Sequence, residues 1–482
     1  MYLIRFERKE TLMQNSKNKK LATNIVLMFL VYFMPKVFSF FLVPLYTSYL
    51  TTEEYGISDL IISTASLLGP FVALSTPSAV LRFTIENKED RRPIWVSVQI
   101  YILGMFALLL GLIATNFIFK IELSYLFFVL VITGSSVLAD INLSYTRGIE
   151  KMKLVTACGV GSSLVSILCN ILFIVVFRMG LYGFLMASVA GYVFNIILTI
   201  VCNRGRIFVG KVVDDTFGKL RKEMLQFSIP TIFSGLSWWV VSSSDRYFVT
   251  GLCGTSINGI YSVAYKIPTI LQAVDNVFYQ AWIYTLYDSY KTEEGKKYII
   301  KVYDVYNFFF CFVGAGLITF TSLLSKILYS NDFYAAWRFV PPLVISIVLS
   351  SAGGLIGGFL SIYKKTKISM VISLTAAATN VILNYVLIVI LDDAMGAAIA
   401  TAFTFFVTWG LYTYEGMKCS GVKVKWKKAL AMYCVLVFQA IEIIVFESII
   451  IAVIGLVILI VLNWNNILWV KSKWRVLINR SK

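Results

Sequence analysis

Residues 229–280 read IPTIFSGLSWWVVSSSDRYFVTGLCGTSINGIYSVAYKIPTILQAVDNVFYQ. Two apolar spans flank a short turn at 252–257, and within them lie Asp245, Arg246, Lys266 and Asp275. A charged side chain at bilayer depth costs at least about 2.5–3.5 kcal/mol, so it faces a polar interior or a partner. The rest of the chain is read here as a scaffold that holds such charges in a water-filled cavity.

The composition agrees. Of 482 residues, 58% are hydrophobic and 14% charged, and the mean hydropathy is +0.79. Soluble domains lie well below that apolar fraction. The apolar runs are too long for barrel strands and do not alternate, so the chain is expected to be an all-α integral membrane protein. Backbone groups in lipid must be bonded internally, which a helix bundle achieves.

Working outward from 229–280, the apolar runs predict about fourteen spans of the length that crosses about 30 Å of hydrocarbon. They are 22–46, 57–81, 94–118, 123–146, 154–177, 181–202, 226–251, 257–284, 299–325, 338–362, 368–391, 395–414, 429–445 and 448–470. The thirteenth is short and carries Glu442, so twelve full spans with a re-entrant last pair is the alternative. The first apolar run is long and lacks a small-residue cleavage site, which argues against a removable leader.

Charge distribution orients these spans. Of 43 Lys and Arg residues, 36 fall in the two tails and the even-numbered connections, and four (Lys120, Arg178, Lys326, Arg338) in the odd-numbered ones. Basic residues stay on the cytoplasmic side, so both termini are expected there. The net charge of +17 is thus mostly a topology signal, and no basic domain is long enough to read nucleic acid. The remaining three, Lys36, Arg246 and Lys266, lie inside spans.

No histidine is present, and the seven cysteines form no CxxC pair. These facts argue against His-based catalysis, metal sites and a disulfide framework, and no cofactor or metal is expected. Any proton coupling must then use carboxylates.

Two weak internal matches point to a duplication. TTEEYGISDL (51–60) resembles GTSINGIYSVA (254–264), which aligns Gly56 with Gly259 at an offset of 203. NILFIVVFRMGLYG (170–183) resembles NYVLIVILDDAMG (384–396) at an offset of 214. Six spans per half preserve orientation, so a parallel pseudo-twofold is expected. The predicted organisation is a tail (1–20), an N-lobe (21–203), a linker (204–225), a C-lobe (226–416), two appended spans (417–470) and a tail (471–482).

Inside the spans, Gln272, Asp275, Asn276 and Tyr279 fall at three- and four-residue spacings and share one helix face. Four polar groups on one face are costly in lipid unless that face is wet or paired, so they are expected to line a cavity. Asn170 in the fifth span and Asn384 in the eleventh lie on polar stripes that either glue helices or line a cavity, and are taken as lining. The glycines at 353–354 and 357–358 are expected to serve packing. Asp245, beside Arg246 and within reach of Lys266, reads as an ion-pair partner, and Asp275 reads as the better candidate for ion coupling.

VPLYTSYLTTEEYGISDL (43–60), SSSDRYFV (242–249) and GIYSVAYKIP (259–268) resemble the polysaccharide-export (Wzx-type) flippases, the O-antigen and capsule repeat-unit translocases of the multidrug/oligosaccharidyl-lipid/polysaccharide exporter superfamily. The resemblance covers most of 20–420 and carries no catalytic signature. It implies two six-helix lobes forming a V around a central cavity, which moves a polyprenyl-diphosphate-linked oligosaccharide to the outer leaflet by alternating access. A proton or sodium ion would drive it, with membrane lipid around it and a polymerase and chain-length proteins of the same pathway as partners. The location implied is the cytoplasmic (inner) membrane of a bacterium. On this reading Lys36, Arg246 and Lys266 supply cations for the diphosphate, and aromatics stack on sugars. The two extra C-terminal helices are also similar to those of lipid II flippases.

Other classes fit less well. A multidrug exporter of the same superfamily binds cations and favours acidic cavities, against three basic residues here. A membrane glycosyltransferase or polymerase needs a catalytic constellation on a sizeable external loop, and the longest odd-numbered connection is about 326–337.

Overall fold

A computed structural model describes residues 29–30, 33–203 and 215–480, with side chains of 215–216 and 473–480 left aside. The N-terminal tail 1–20 and the first half of the linker, 204–214, lie outside the described residues. Every described regular element is a helix.

In order, residues 33–41 are helical. There follow α1 (Val43–Tyr49), α2 (Thr52–Val72), α3 (Thr76–Glu86), α4 (Arg92–Phe119), α5 (Leu123–Gly148) and α6 (Met152–Asn170). α6 continues into a π-helical turn, Ile171–Val176, and then come α7 (Gly180–Cys202), α8 (Asp215–Cys253), α9 (Thr255–Ala264) and α10 (Pro268–Ser289). The chain goes on through α11 (Glu293–Thr319), α12 (Thr321–Leu328), a 3₁₀ stretch (Asn331–Arg338), α13 (Val340–Ile362), α14 (Thr366–Leu391) and α15 (Met395–Ser420). It closes with α16 (Trp426–Phe446), α17 (Ile449–Leu462) and α18 (Trp464–Arg480).

Eleven described helices are long and apolar enough to cross a membrane, or twelve if α17 and α18, bent by 60° at their junction, count as one span. The protein is a multi-pass membrane protein. α4 shows the lipid-facing type: Leu103, Phe106, Leu110 and Phe117 are exposed, and it is apolar on all sides.

Beyond the break at Phe320 inside the run 299–325, three expected spans are broken, each for a local reason. The run 57–81 splits into α2 and α3 around Leu74 and Ser75, both in the left-handed region, just after Pro70 removes a helical N–H. The run 257–284 splits into α9 and α10, because Pro268 is accommodated without strain at a helix start. The last run bends at Asn463, which leaves α17 with 14 residues, about 21 Å and short of a bilayer crossing.

The described chain divides into two compact units, 61–233 with the residues before 39, and 39–60 with 234–482. Helices α2 and α8 each run from one unit into the other. In the first unit, Ile94, Ile141, Tyr145 and Met224 are fully buried among α3, α4, α5 and the start of α8. In the second, α13 is the buried centre and packs on α15, α10 and α11. The appended α16 and α17 dock on α11, where the buried Gln439 donates to the Ala452 carbonyl (2.6 Å).

Candidate functional site

The second unit gathers the charges of the opening stretch. Three local features assemble them. First, Gly254 reverses the chain between α8 and α9 with φ +96°, a conformation that costs glycine little. Second, Thr51 and Glu54 cap α2 reciprocally: the Thr51 N–H donates to Glu54 Oε2 (2.9 Å) and the Glu54 N–H to Thr51 Oγ1 (3.1 Å). Third, α2 and α9 cross in direct backbone contact. A Cβ on Gly56 would lie 2.2 Å from the Thr255 carbonyl oxygen, and one on Gly259 would lie 1.9 Å from that of Thr52. The contact is reciprocal at the 203-residue offset, so the two matched segments pack as symmetry mates.

This crossing brings Asp59 to Ser262, whose Oγ donates to Asp59 Oδ2 (2.7 Å). The same Oδ2 lies 2.7 Å from Arg246 Nε, with both side chains mostly buried. The Arg246 guanidinium also donates through Nη1 to the Ser242 carbonyl (3.0 Å) and sits 5.1 Å from the Tyr265 ring centre. Lys266, half-buried in the α9–α10 break, is in electrostatic range of both Asp59 and Arg246.

The acid that closes on Arg246 is therefore Asp59 and not the expected Asp245. Asp245 is wholly buried and its Oδ2 accepts from the hydroxyls of Tyr261 (2.8 Å) and Tyr265 (2.5 Å). Its Oδ1 accepts the Arg246 backbone N–H (2.9 Å). The reason is geometric: adjacent residues on a helix point about 100° apart, so Asp245 turns inward while Arg246 faces α2.

A second polar feature lies in the same unit. Gln272, Asp275, Asn276 and Tyr279 line one cavity of about 430 Å³, together with serines of α8, α13 and α14. That volume is within the roughly 300–1,000 Å³ of ligand sites. Gln272 Nε2 donates to Asp275 Oδ2 (3.0 Å), and the Tyr306 hydroxyl donates to the other oxygen. The α13 glycines divide their work: a Cβ on Gly353 would lie 3.2 Å from Trp409, whereas Gly354 and Gly357 face the cavity.

Two residues expected to line a cavity are buried instead, one in an inter-helix network and one bonded within its own helix. Asn384 is fully buried, and its amide donates to Asn380 Oδ1 (3.0 Å), which also accepts from Ser244 Oγ (3.1 Å). Asn380 in turn donates to Thr401, so the chain of amides joins α8, α14 and α15. Asn170 is buried where α6 passes into its π turn and donates to the Ser166 carbonyl (2.7 Å). Lys36 is exposed and belongs to the first unit, so within the second unit the cations brought together are Arg246 and Lys266.

Three participants escaped the sequence reading. Asp59 stands in the matched segment 51–60 without any local mark of its role, and its partner Ser262 lies 203 residues on. Tyr306 sits in an aromatic run and gives no separate signal. In the first unit, Asp140 of α5 lines a cavity of about 460 Å³ with Tyr192, Ser66, Ser136 and Thr231, an acid within the expected span 123–146.

The family described as polysaccharide biosynthesis protein matches residues 21–286. The chain belongs to that family. An uncharacterized membrane protein of Methanocaldococcus jannaschii is 23% identical over 235 residues, 44% of this chain. The chain spans about half the length (54%) of that relative. Among solved structures, an inward closed lipid II flippase MurJ superposes with TM-score 0.63 at 13% identity, covering 93% of this chain and 98% of its own. An inward-facing multidrug resistance MATE family transporter of the MOP superfamily gives 0.61 at 14%, covering 81% and 94%. At these identities the likeness is one of fold. The chain shares the fold of these two proteins.

Proposed function

We propose that the protein is a flippase that moves a polyprenyl-diphosphate-linked oligosaccharide, an O-antigen, capsule or exopolysaccharide repeat unit, from the cytoplasmic to the outer leaflet of a bacterial cytoplasmic membrane. The observation that carries this is the Arg246–Asp59 pair with Lys266, set inside the membrane in a chain of the polysaccharide biosynthesis family. A headgroup of this class is polar and anionic. Arg suits its phosphate oxygens because the guanidinium donors form a planar fork. Asp59 then acts as a resident counter-ion that holds Arg246 until a diphosphate replaces it.

On this reading the lobes 21–203 and 226–416 exchange access by alternation, with 417–470 appended. Both termini are cytoplasmic, as the 36-to-4 charge split supports. A proton or sodium ion drives the exchange through Asp275, and the pathway's polymerase takes the product. Lipid II is a second candidate cargo, favoured by the 93% coverage in the MurJ comparison.

The test is translocation by the full chain in vesicles carrying either lipid-linked repeat units or lipid II. The expected result is transport of the repeat unit and its loss in the Arg246→Ala/Lys266→Ala double variant, with normal insertion. Full transport by that variant refutes the cationic route, and transport of lipid II alone replaces the cargo.

A further inference from the structure

Helices α10, α11 and α18 enclose a groove of about 540 Å³ whose walls are apolar, formed by Val274, Phe278, Val305, Phe309, Ile467 and Val470. Phe309 and Val470 are partly exposed, so the groove opens outward. At its α18 end stands Lys471.

A basic cluster adjoins that end. Lys301 Nζ donates to Asn466 Oδ1 (2.8 Å) and lies 5.6 Å from the ring centre of Trp469, itself a wall residue of the groove. Asn466 Nδ2 donates to the Asp304 carbonyl (3.3 Å), and Lys425 Nζ lies 3.3 Å from Asp304 Oδ2. Lys428 is in electrostatic range of Asp304, Lys425 and Lys301. Lys425 pairs with the buried Asp304 carboxylate, and Lys428 and Lys301 stand near it without pairing with that acid, which leaves positive charge in excess beside an apolar slot.

We propose that this groove is a binding site for an anionic phospholipid of the leaflet on the basic side of the protein. Its acyl chain lies between α10, α11 and α18, and its phosphate meets Lys301, Lys428 and Lys471. The inference is independent of what the protein transports. Charge complementarity chooses the occupant: a neutral, zwitterionic lipid fills the slot equally well but leaves the lysines' excess charge unmet. The site also touches the polar cavity, because the Tyr306 ring lines the groove while its hydroxyl holds Asp275.

The test uses the purified full chain titrated with dioleoyl phosphatidylglycerol or dioleoyl phosphatidylcholine, with bound lipid counted by native mass spectrometry. Each lysine near an anionic headgroup is worth about fivefold, so phosphatidylglycerol is expected to bind at least about tenfold more tightly. Lys301→Gln/Lys428→Gln/Lys471→Gln should reduce that preference to about twofold, and Val470→Trp should weaken both lipids by filling the slot. Circular dichroism checks that each variant is folded. Equal binding of the two lipids overturns the proposal, as does an undiminished preference in the folded triple variant. Stoichiometric displacement of phosphatidylglycerol by polyprenyl phosphate also overturns it, by assigning the groove to a carrier lipid.

Discussion

Replacing Asp59 by Asn tests the central geometry. Asn keeps the shape and an oxygen that accepts from Ser262 Oγ, so the substitution isolates the charge. Arg246 Nε stands 2.7 Å from Asp59 Oδ2, with side-chain exposures of 15% and 21%. Two unit charges about 4 Å apart attract by about 4 kcal/mol at an effective dielectric of ~20. Partial solvent access and the cost of burying both groups reduce the net coupling to about 2 kcal/mol. Asp59→Asn alone leaves Arg246 mostly buried without its counter-ion and should cost about 2–4 kcal/mol. With Arg246→Gln already present, the same change should cost about 1 kcal/mol or less. The assay is a double-mutant cycle by denaturant unfolding in detergent micelles, followed by tryptophan fluorescence. A coupling energy below about 0.5 kcal/mol would mean that the pair holds nothing together, and the role given to Asp59 would be abandoned.

Gly259→Ala places a Cβ 1.9 Å from the Thr52 carbonyl, so α2 and α9 must separate; a loss above about 2 kcal/mol is expected, and a neutral effect contradicts the crossing. Asp275→Asn keeps the bonds to Gln272 and Tyr306 but cannot titrate, so transport in vesicles should lose its dependence on pH or sodium; retained dependence makes Asp275 structural. In a cysteine-free background, a cysteine at Lys423 should react with an impermeant thiol reagent in inverted vesicles and not in intact cells; the reverse pattern inverts the topology.

The helical class and most of the membrane-crossing segments are legible in the sequence because a bilayer imposes a long, uninterrupted apolar run. The breaks are less legible. Tyr265 and Lys266 continue the segment by composition, and although Pro268 permits a break there, a proline near a span end is equally compatible with a kink in one continuous helix. The face of Gln272, Asp275, Asn276 and Tyr279 was readable because helical periodicity alone groups them. Asn384 has the same periodicity and a different fate, since burial between helices is a property of its neighbours. Asp59 illustrates the limit of local reading: its partners are 187 and 203 residues away, and nothing in its own span marks them.

The crossing of α2 on α9 also explains why charge is present on one side of it. At the 203-residue offset, Thr47 corresponds to Thr250 and Gly56 to Gly259, so the frame of the two segments is shared. The counterpart of Arg246 is Val43 and that of Asp245 is Leu42, both apolar, while Asp59 faces Ser262. A strictly symmetric crossing would set two carboxylates within 3 Å of each other, a repulsion that the mostly buried setting would amplify. Asp opposite Ser removes that conflict and leaves one carboxylate for one guanidinium. The duplicated backbone thus supplies the close approach, and its divergence supplies a single polar pair. A single pair is what a site needs if one anion at a time is to displace Asp59 from Arg246, because a second, symmetric acid would compete with the incoming anion for the same guanidinium.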